Sequence, residues 1–594
     1  MLRPGKSKDQ TRGNPSFGLR SLLLLSISLV SYSATDMQSG SFEFNSELKD
    51  KVEKQTDNFS SKFGLVSSCL GCVVGTGNIW RFPRIVASNS QEAGGLVFIL
   101  VWVMFLALWS VPMLLIEYGV GRFTRRALIG SFRHFLGEKF AWCGAWMVMV
   151  SFFISCYYAV VLGWCFYYVF HTIGYELPEK AETSTQIFYD FAQDSYWPLL
   201  THGMAVMIAG ISVIQGVKTF EKVNMVLVPL FLIIIIFTFI WSLTRRYADY
   251  GIKFLFSPDW SSIGTARLWV DAISQNAFDT GAGSGLMITY ATFMTREHAV
   301  VKYGTMTPLG NNFVSLICGI MIFATVFSTM IVAEPFFSRA RIVEIMKNSG
   351  PASTGLTFIW IPVLFSSLGT FGRVLAVLFF LCLSFAGITS LISNMEQACH
   401  VLFDFGIPRK FGMPLTVLLT FGVGTASALN LDVLTNQDFV WGFALLVNGL
   451  MLQAMVIKFG VSRFRKEVIN DFSLDDWKLP KFWNFFIWVI CPLEAVVIII
   501  WWAVDLIQTQ SDNGVPWYEM GKETFMVTIT QWLSVMLAVF LVNMVVWFWR
   551  TRRQHAETLT LLHNSYSHSL ENSHIPRSLQ EHKSLEKSVK DIVL

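Results

Sequence analysis

Long apolar runs recur along this chain between short polar segments, and they limit the possible folds more than any other feature. Clear examples cover residues 97–116, 145–170, 223–243 and 532–549. Each run can cross the roughly 30 Å hydrocarbon core of a bilayer as a helix, which satisfies its backbone hydrogen bonds internally. Because 53% of the residues are hydrophobic and 14% are charged, an ordinary soluble fold is excluded. Twelve such runs predict an all-α membrane protein with twelve transmembrane helices.

The basic residues lie on alternate loops, although the net charge of +4 is small. The loop after the second predicted span carries Arg122, Arg125, Arg126, Arg133 and Lys139, and the segment after the tenth carries Arg463, Arg465, Lys466, Lys478 and Lys481. Segment 171–196 is instead acidic. Since positively charged loops stay in the cytoplasm, we expect an integral multi-pass protein of the plasma membrane with both termini cytoplasmic. The charge is too small to indicate a nucleic-acid partner.

The two ends of the chain differ in composition from its apolar middle. We expect a cytoplasmic N-terminal segment over 1–58, a twelve-helix domain over 59–550 and a disordered cytoplasmic tail over 551–594. Arg20 and the apolar run 21–30 resemble a secretory signal peptide, but cleavage would place the new N-terminus outside, against the charge pattern. An over-long gene model with Met37 as the working start explains residues 1–36 equally well.

Nine cysteines lie mostly within the apolar runs, and none lies in the acidic segment, so the sequence predicts no disulfide framework. Cys69 and Cys72 have the spacing of a redox or metal pair. They lie within a predicted membrane helix without partner histidines or a second pair. We therefore interpret them as small packing residues.

Glycine-rich segments interrupt two of the predicted spans. In the first span the run 63–74 is followed by Gly-Thr-Gly-Asn at 75–78, and in the sixth the run 269–278 is followed by 279–285. Unwound backbone at this depth is tolerated only where it lines a cavity or binds something. Because five spans separate the breaks, they predict an inverted five-plus-five repeat with discontinuous helices 1 and 6. Half-helix ends would then offer N–H groups to an anion and carbonyls to a cation, which suits a zwitterion.

Phosphate-binding loops also contain such glycines. Here no Lys-Ser or Lys-Thr pair follows the glycines, and both segments lie within membrane spans rather than after a strand. A nucleotide site is therefore excluded.

The residues around these breaks resemble the neurotransmitter:sodium symporter family, including its bacterial amino-acid transporters. The most specific match is Gly-Thr-Gly-Asn-Ile-Trp-Arg-Phe-Pro at 75–83. Supporting matches are 117–122, the Tyr157-Tyr158 pair, 275–285 and 385–390. The resemblance covers the chain from about Phe59 to Trp549. It implies a symporter that carries a neutral amino acid with Na+ by alternating access.

The resemblance implies two sodium sites. The first would use the Val73 carbonyl, Asn78, Asp279, Asn311 and the substrate carboxylate, and the second would use the carbonyls of Gly71, Val74 and Ala386 with the hydroxyls of Thr389 and Ser390. Oxygen ligands suit Na+ because it is a hard cation. Hydroxyls on a membrane helix can also donate to the backbone of their own helix. We interpret Thr389 and Ser390 as sodium ligands because the motif in helix 1 matches the family.

A substrate site follows from the same resemblance. Its residues would be Val73, Gly75, Thr76, Gly77, Ile154, Tyr158, Phe278, Gly281, Ser284, Ser390 and Asn394. The amides of Thr76 and Gly77 and the Tyr158 hydroxyl would hold the substrate carboxylate. The carbonyls of Val73 and Phe278 would accept from the ammonium group.

Three positions in this set indicate the substrate class. Monoamine carriers of the family have an aspartate in place of Gly75, so glycine leaves room for the carboxylate of an amino acid. Ser284 occupies a position that is usually aromatic, and Asn394 adds a polar group that needs a partner. We expect a bulky or amide-bearing neutral amino acid rather than glycine.

Two gates are implied as well. Arg81 and Asp438 match the external ion pair of the family, which would close over the substrate with Phe278 and Tyr158. A charged residue at the end of a span can also simply extend its head group to water; the surrounding match favours the gate.

The internal gate departs from the family pattern. Asp404 matches its acidic partner, but the expected Arg and Trp before the first span are Thr56 and Phe59. Lys54 or Lys62 could substitute, or this gate is weaker here.

Chloride dependence is the last expectation. The positions that hold Cl- in chloride-dependent members are here Trp102, Gln275, Asp279, Asn311 and Ser315. The usual serine is Asp279, and two like charges at about 5 Å and an effective dielectric near 20 cost roughly 3 kcal/mol. The carboxylate would repel Cl- and itself neutralise the bound Na+, so we expect transport without chloride. The alternative is that Asp279 only caps the resumed half-helix.

Other functions were weighed against this one. The sequence contains no His-Glu-x-x-His and no Gly-x-Ser-x-Gly motif, so an enzyme is not expected. A receptor or channel on the same fold would bind the amino acid without concentrating it, and the residues leave that alternative open. They also leave the oligomeric state open.

Overall fold

The computed structural model describes residues 58–90, 93–333, 338–347 and 354–572. The helices that we label as membrane helices are α1a (Lys62–Val73), α1b (Gly77–Ser88), α2 (Leu96–Thr124), α3 (Ala141–Gly174), α4 (Trp197–Ser212), α5 (Val217–Leu243), α6a (Ala266–Thr280), α6b (Leu286–Ala291), α7 (Val300–Ala333), α8 (Gly369–Asp404), α9 (Arg409–Leu429), α10 (Leu431–Phe459), α11 (Trp483–Asp512) and α12 (Phe525–Asn572). The described residues contain no β-strand. The signal-like segment and Met37 lie outside them.

These helices account for the twelve predicted spans. Within the described ranges, nine are long and apolar enough to cross a bilayer by length and composition. The pair α1a and α1b forms a tenth span that is bent by 50°. The remaining two are the shorter α4 and the broken α6. The all-α fold with twelve membrane helices is therefore confirmed.

Different backbone conformations produce the two breaks. In α1, Val74 adopts an extended conformation with φ −79° and ψ 96°, and the chain resumes as a π-helix over Gly77–Arg81. In α6, three alternate glycines have left-handed φ angles: 65° at Gly281, 94° at Gly283 and 75° at Gly285. Because side chains with a Cβ rarely adopt such angles, these glycines end α6a and begin α6b.

The broken helices lie inside a frame of continuous ones. Helix α8 packs along α3 and α5, and α1a packs against α5. The continuous helices differ in burial: 78% of the most apolar window of α8 is buried, against 11% for α12. The half-helix ends of α1 and α6 are thus shielded from the hydrocarbon, as unwound backbone requires.

Two further predictions concern the ends and the cysteines. Helix α12 continues to Asn572, so residues 551–572 of the predicted disordered tail are helical, with an Arg553–Glu557 ion pair one turn apart. Residues 573–594 lie outside the described part. All nine cysteines are buried and free, which agrees with their interpretation as packing residues.

Candidate substrate and ion site

A cavity of about 70 Å³ lies between the two helix breaks. Every residue predicted for the substrate site lines it, except Thr76. The lining also includes Cys72, Asn78, Ser151, Asp279, Leu286 and Leu445. Ser151 on α3 and Leu445 on α10 were not predicted, because neither belongs to a motif of the family resemblance.

Polar groups converge where α1 breaks. The Thr76 N–H and hydroxyl lie 3.4 and 3.2 Å from the Tyr158 hydroxyl. The Gly75 N–H donates to Asn78 Oδ1 at 2.8 Å. A Cβ at Gly75 would lie 2.9 Å from Ser390 Oγ and 3.2 Å from Tyr158 Oη. A side chain at Gly75 would therefore displace the groups that border the cavity.

Internal hydrogen bonds occupy the donors at the far side of the cavity. Ser284 Oγ donates to the Gly281 carbonyl at 2.5 Å, and Asn394 Nδ2 donates to the Ser390 carbonyl at 3.0 Å. The Ser284 carbonyl in turn accepts from Ser151 Oγ at 2.8 Å. This end therefore presents mostly apolar surface and small side chains to a ligand.

Several oxygens cluster at the position predicted for the first sodium ion. The Asn311 amide oxygen accepts from Asn78 Nδ2 at 2.8 Å. The same end of the Asn311 amide lies 3.1 Å from the Val73 carbonyl oxygen and 3.3 Å from the Asp279 carbonyl oxygen. With its nitrogen turned to this position, the amide donates to both carbonyls. With its oxygen turned there, the amide and the two carbonyls offer three oxygens that suit a cation.

Asp279 adds a negative charge beside this cluster. Its carboxylate is buried; Oδ2 accepts from Ser315 Oγ at 3.2 Å, while Oδ1 has no hydrogen-bond partner among the described residues. A buried carboxylate oxygen without a hydrogen-bond partner is unfavourable unless a cation or a proton compensates its charge. Two further positions equivalent to the chloride site also carry buried polar atoms without a hydrogen-bond partner in the described part of the chain. These atoms are Trp102 Nε1 and both amide atoms of Gln275.

The second predicted ion site lies between α1a and α8. Ser390 Oγ donates to the Gly71 carbonyl at 3.3 Å, and Thr389 Oγ1 donates to the Ala386 carbonyl at 2.9 Å. A Cβ at Gly71 would lie 3.0 Å from Thr389 Cβ, so the two helices are as close as a shared ion requires. Thr389 thus donates to the backbone of its own helix, as the alternative interpretation expected, whereas Ser390 donates to a carbonyl of α1a.

The external gate residues lie together beside the cavity. Arg81 Nη1 lies 3.8 Å from Asp438 Oδ1, and the Arg81 guanidinium lies 4.2 Å from the centroid of the Phe278 ring. The two charged side chains are only 14% and 17% exposed. This arrangement can cover a substrate with a partly desolvated ion pair and an aromatic ring.

The predicted internal gate has other contacts. Asp404 Oδ2 accepts from the Ala127 N–H at 2.7 Å, and Lys62 is exposed. Phe59 is buried, and its ring centroid lies 5.9 Å from that of Phe220 and 6.3 Å from that of Tyr290. Thr56 and Lys54 lie outside the described residues.

One residue with a clear role was missed. Glu117 on α2 is fully buried, and its carboxylate accepts from the Gly283 N–H at 2.8 Å and the Met287 N–H at 3.2 Å. It therefore satisfies N–H groups that the break in α6 leaves free. The signal in the sequence was a carboxylate in the middle of the second apolar run.

Comparison with known proteins agrees with this arrangement. The sodium:neurotransmitter symporter family model matches residues 56–195 and 189–550. An uncharacterised sodium-dependent transporter of Methanocaldococcus jannaschii is 26% identical over 75% of this chain and 90% of its own length. A sodium- and chloride-dependent GABA transporter of Drosophila melanogaster is 25% identical over 60% of this chain and 40% of its own length. The crystal structure of MhsT in complex with L-phenylalanine is similar with a TM-score of 0.64 at 25% identity, over 75% of this chain and 99% of MhsT.

A membrane protein with two broken helices around a central cavity has the architecture of a secondary transporter. The family match extends over most of the chain, and the chain belongs to the sodium:neurotransmitter symporter family. Its function is therefore sodium-dependent symport of a small molecule across a membrane, and it is not an enzyme.

Proposed function

We propose that this protein carries a neutral amino acid with two Na+ ions across the plasma membrane, without a requirement for chloride. The observation that carries the proposal is the cavity between the two breaks, bordered by Gly75, Gly77 and the Tyr158 side chain at one end and by small side chains at the other. The relative MhsT, whose structure contains L-phenylalanine, supports an amino acid as the substrate class.

The charged groups of the substrate would lie at the break in α1. Its carboxylate would accept from the Thr76 and Gly77 amides and from Tyr158, and its ammonium group would donate to the Val73 and Phe278 carbonyls. The space required for that carboxylate is next to Gly75, where a Cβ would lie 3.2 Å from Tyr158 Oη. An amine without a carboxylate would leave these donors unpaired, at a cost for each buried group.

The substrate side chain would point toward Gly281, Ser284 and Asn394. The hydroxyl of Ser284 and the amide nitrogen of Asn394 already donate within the protein. An apolar side chain therefore fits most of this surface, and Asn394 Oδ1 is available to accept from an amide-bearing one. Glycine would leave the space unfilled.

Sodium would bind at both oxygen clusters. At the first, the Asn311 amide lies 3.1 Å from the Val73 carbonyl oxygen and 3.3 Å from the Asp279 carbonyl oxygen, and the substrate carboxylate would complete the set. This shared ligand would couple the ion to the substrate. At the second, Thr389 and Ser390 would turn their hydroxyl oxygens to the ion beside the Gly71 carbonyl.

Asp279 supports independence from chloride. Its Oδ1 is buried without a partner in the described residues, so a negative charge already lies next to the first ion position. A second anion at about 5 Å would cost roughly 3 kcal/mol at an effective dielectric near 20. The carboxylate would balance the sodium charge instead.

Uptake into liposomes tests the proposal. Purified protein would be reconstituted with an inward Na+ gradient and supplied with radiolabelled L-phenylalanine, L-leucine, L-glutamine or glycine. We expect concentrative uptake of at least one of the first three, lost when choline replaces Na+. Binding without accumulation would indicate a receptor, and equilibration without concentration would indicate a channel; either result contradicts the proposal.

A further inference from the structure

Two neighbouring helices hold the same backbone carbonyl in the break of α6. The Ser284 carbonyl oxygen accepts from Ser151 Oγ on α3 at 2.8 Å and from Gln397 Nε2 on α8 at 3.1 Å. A carbonyl oxygen has two lone pairs, and two donors occupy both of them. The peptide group that follows Ser284 is therefore held in one orientation by side chains from outside α6.

The backbone on both sides of Ser284 has little room to move. A Cβ at Gly283 would lie 2.7 Å from the Leu445 carbonyl oxygen, and a Cβ at Gly285 would lie 2.5 Å from Leu128 Cδ2. Both glycines also have left-handed φ angles, which other residue types adopt only with strain. Ser284 is thus held between two closely packed positions.

Ser284 itself forms part of the wall of the substrate cavity. The residue is 5% exposed, and its hydroxyl donates to the Gly281 carbonyl at 2.5 Å. The same hydroxyl accepts from the Leu286 N–H at 3.2 Å. Because the hydroxyl and the carbonyl are both engaged, this wall does not shift to suit a ligand. The end of the cavity that would receive the substrate side chain therefore has a set depth.

Gln397 supports this wall without belonging to it. It is 1% exposed and does not line the cavity, whereas Ser390 and Asn394 on the same face of α8 do. Its amide oxygen is buried without a hydrogen-bond partner among the described residues. An unpaired buried oxygen is unfavourable, and an apolar side chain of similar size would avoid that cost. The bond from Nε2 to the Ser284 carbonyl is thus what a glutamine contributes at this position.

We propose that Gln397 is a positioning residue that sets the depth of the side-chain end of the substrate cavity, by holding the Ser284 carbonyl jointly with Ser151. The inference rests on the proposed function for the kind of substrate, and it adds what determines the size of side chain that the site accepts. Without Gln397 the carbonyl keeps one donor, so the fold remains, but the peptide group can rotate. The wall then adapts to side chains of different length, and the site discriminates less between them.

Competition binding measures this discrimination. Radiolabelled L-phenylalanine on the purified full chain in Na+ would be displaced by unlabelled L-phenylalanine, L-leucine and L-alanine in a scintillation proximity assay. The readout is the ratio between the highest and the lowest of the three inhibition constants. Gln397→Met retains the length of the side chain without the donor. We expect it to lower this ratio about tenfold, because a misfit of one methylene group in a pocket changes discrimination by about that factor.

Two further variants separate positioning from packing. Ser151→Ala removes the other donor to the Ser284 carbonyl and should also lower the ratio. Combined with Gln397→Met, its effect should differ from the sum of the single effects, because both donors act on one carbonyl. Gln453→Met is the matched control: Gln453 on α10 is also 1% exposed, but its amide nitrogen contacts Met113 Sδ at 3.5 Å. This control should leave the ratio unchanged.

Hydrogen exchange gives a second readout that needs no substrate. Mass spectrometry of the full chain in nanodiscs would follow the peptide that contains residues 281–287. We expect Gln397→Met to raise its exchange rate about tenfold, since the loss of one hydrogen bond changes an opening equilibrium by about that factor. Exchange in α1b, which has no contact with Gln397 among the printed hydrogen bonds of the described residues, should stay at the wild-type rate.

Each outcome decides between the two proposals. A wild type that binds these amino acids without discrimination, or a ratio that Gln397→Met leaves unchanged, would overturn the positioning role. An equal loss of affinity for all three competitors would also overturn it, since that result indicates a merely structural contact. A wild type that binds none of them contradicts the proposed function. In that case faster exchange confined to residues 281–287 would still support the hold of Gln397 on Ser284, and unchanged exchange would refute it.

Discussion

The breaks in α1 and α6 face the same cavity, but their backbone groups are satisfied in different ways. Groups of α1 meet side chains that border the cavity: Thr76 meets Tyr158, and the Gly71 carbonyl meets Ser390. At the break in α6, Glu117 of α2, which does not line the cavity, accepts from the Gly283 N–H, and Ser284 donates to the Gly281 carbonyl within the break itself.

This difference separates two roles. The α1 contacts to other helices, at 3.3 and 3.4 Å, are long for hydrogen bonds, so a ligand could replace them at low cost, whereas the Gly75 N–H donates within α1 at 2.8 Å. The α6 contacts, at 2.5 to 3.2 Å, are shorter than these two and fix the backbone. We infer that α1 binds and moves, while α6 is a fixed support that presents Asp279.

Glu117→Ala should have the largest effect, because it removes the acceptor for two buried N–H groups. Each hydrogen bond to a charged group contributes about 1.5–3 kcal/mol, so we expect the loss of folded protein or a strongly lowered unfolding temperature. Fluorescence-detected size-exclusion chromatography after heating measures this. Glu117→Gln, which retains one acceptor, should be affected less. Equal stability of all three proteins would contradict a fixed α6.

Thr389→Val combined with Ser390→Ala should abolish sodium-coupled uptake while leaving the unfolding temperature within a few degrees of the wild-type value. The hydroxyls would otherwise bind the second ion beside α1a. Uptake into liposomes and sodium-dependent thermal stabilisation give independent readouts. Full uptake by the double variant would refute this assignment and leave the hydroxyls with the backbone bonds that they make to Ala386 and Gly71.

Gly75→Asp should weaken amino-acid binding about a hundredfold. The added carboxylate would lie against that of the substrate, and a repulsion of roughly 3 kcal/mol corresponds to about that factor. Scintillation proximity binding on purified protein measures it. Gly75→Ala is the control for size, since it adds the Cβ without the charge. Unchanged affinity in Gly75→Asp would mean that the break in α1 does not border the substrate.

Asp279→Ser should have the smallest effect on the fold but should change the anion requirement. With gluconate in place of chloride on both sides of the membrane, we expect wild-type uptake to be unchanged. The variant should lose activity or regain it only with chloride, because the fixed negative charge has been removed. A wild type that stops without chloride would contradict the role given to the α6 carboxylate.

Much of the site could be read from local sequence. The motif at 75–83 identified the break in α1, and every predicted substrate residue but Thr76 lines the cavity. These residues lie on the broken helices themselves or on short stretches with a recognisable pattern. By contrast, Ser151 and Leu445 belong to ordinary helical runs, and nothing in their neighbourhood distinguishes them from packing residues.

The start of α1a shows most clearly what local sequence cannot predict. The pattern pointed to Asp404 and to a cation near residues 54–62. Lys54 and Thr56 lie outside the described residues; within them, Glu221 accepts from Ser60, at a separation of 161 residues along the chain. Glu221 lies in the first turns of α5, between Lys218 and Lys222, and its neighbours in sequence do not reveal its partner.

The apolar runs and the glycine positions predict the membrane helices and the two breaks, because both act through local backbone hydrogen bonding, which is obligatory in a bilayer. The choice of partner for each buried polar group was decided by the tertiary structure alone. Glu117, Glu221 and Asp279 are all carboxylates in apolar surroundings. Their roles differ: one supports a helix, one holds two helices together, and one is left for a cation. The role of each depends on the N–H groups that packing brings within reach.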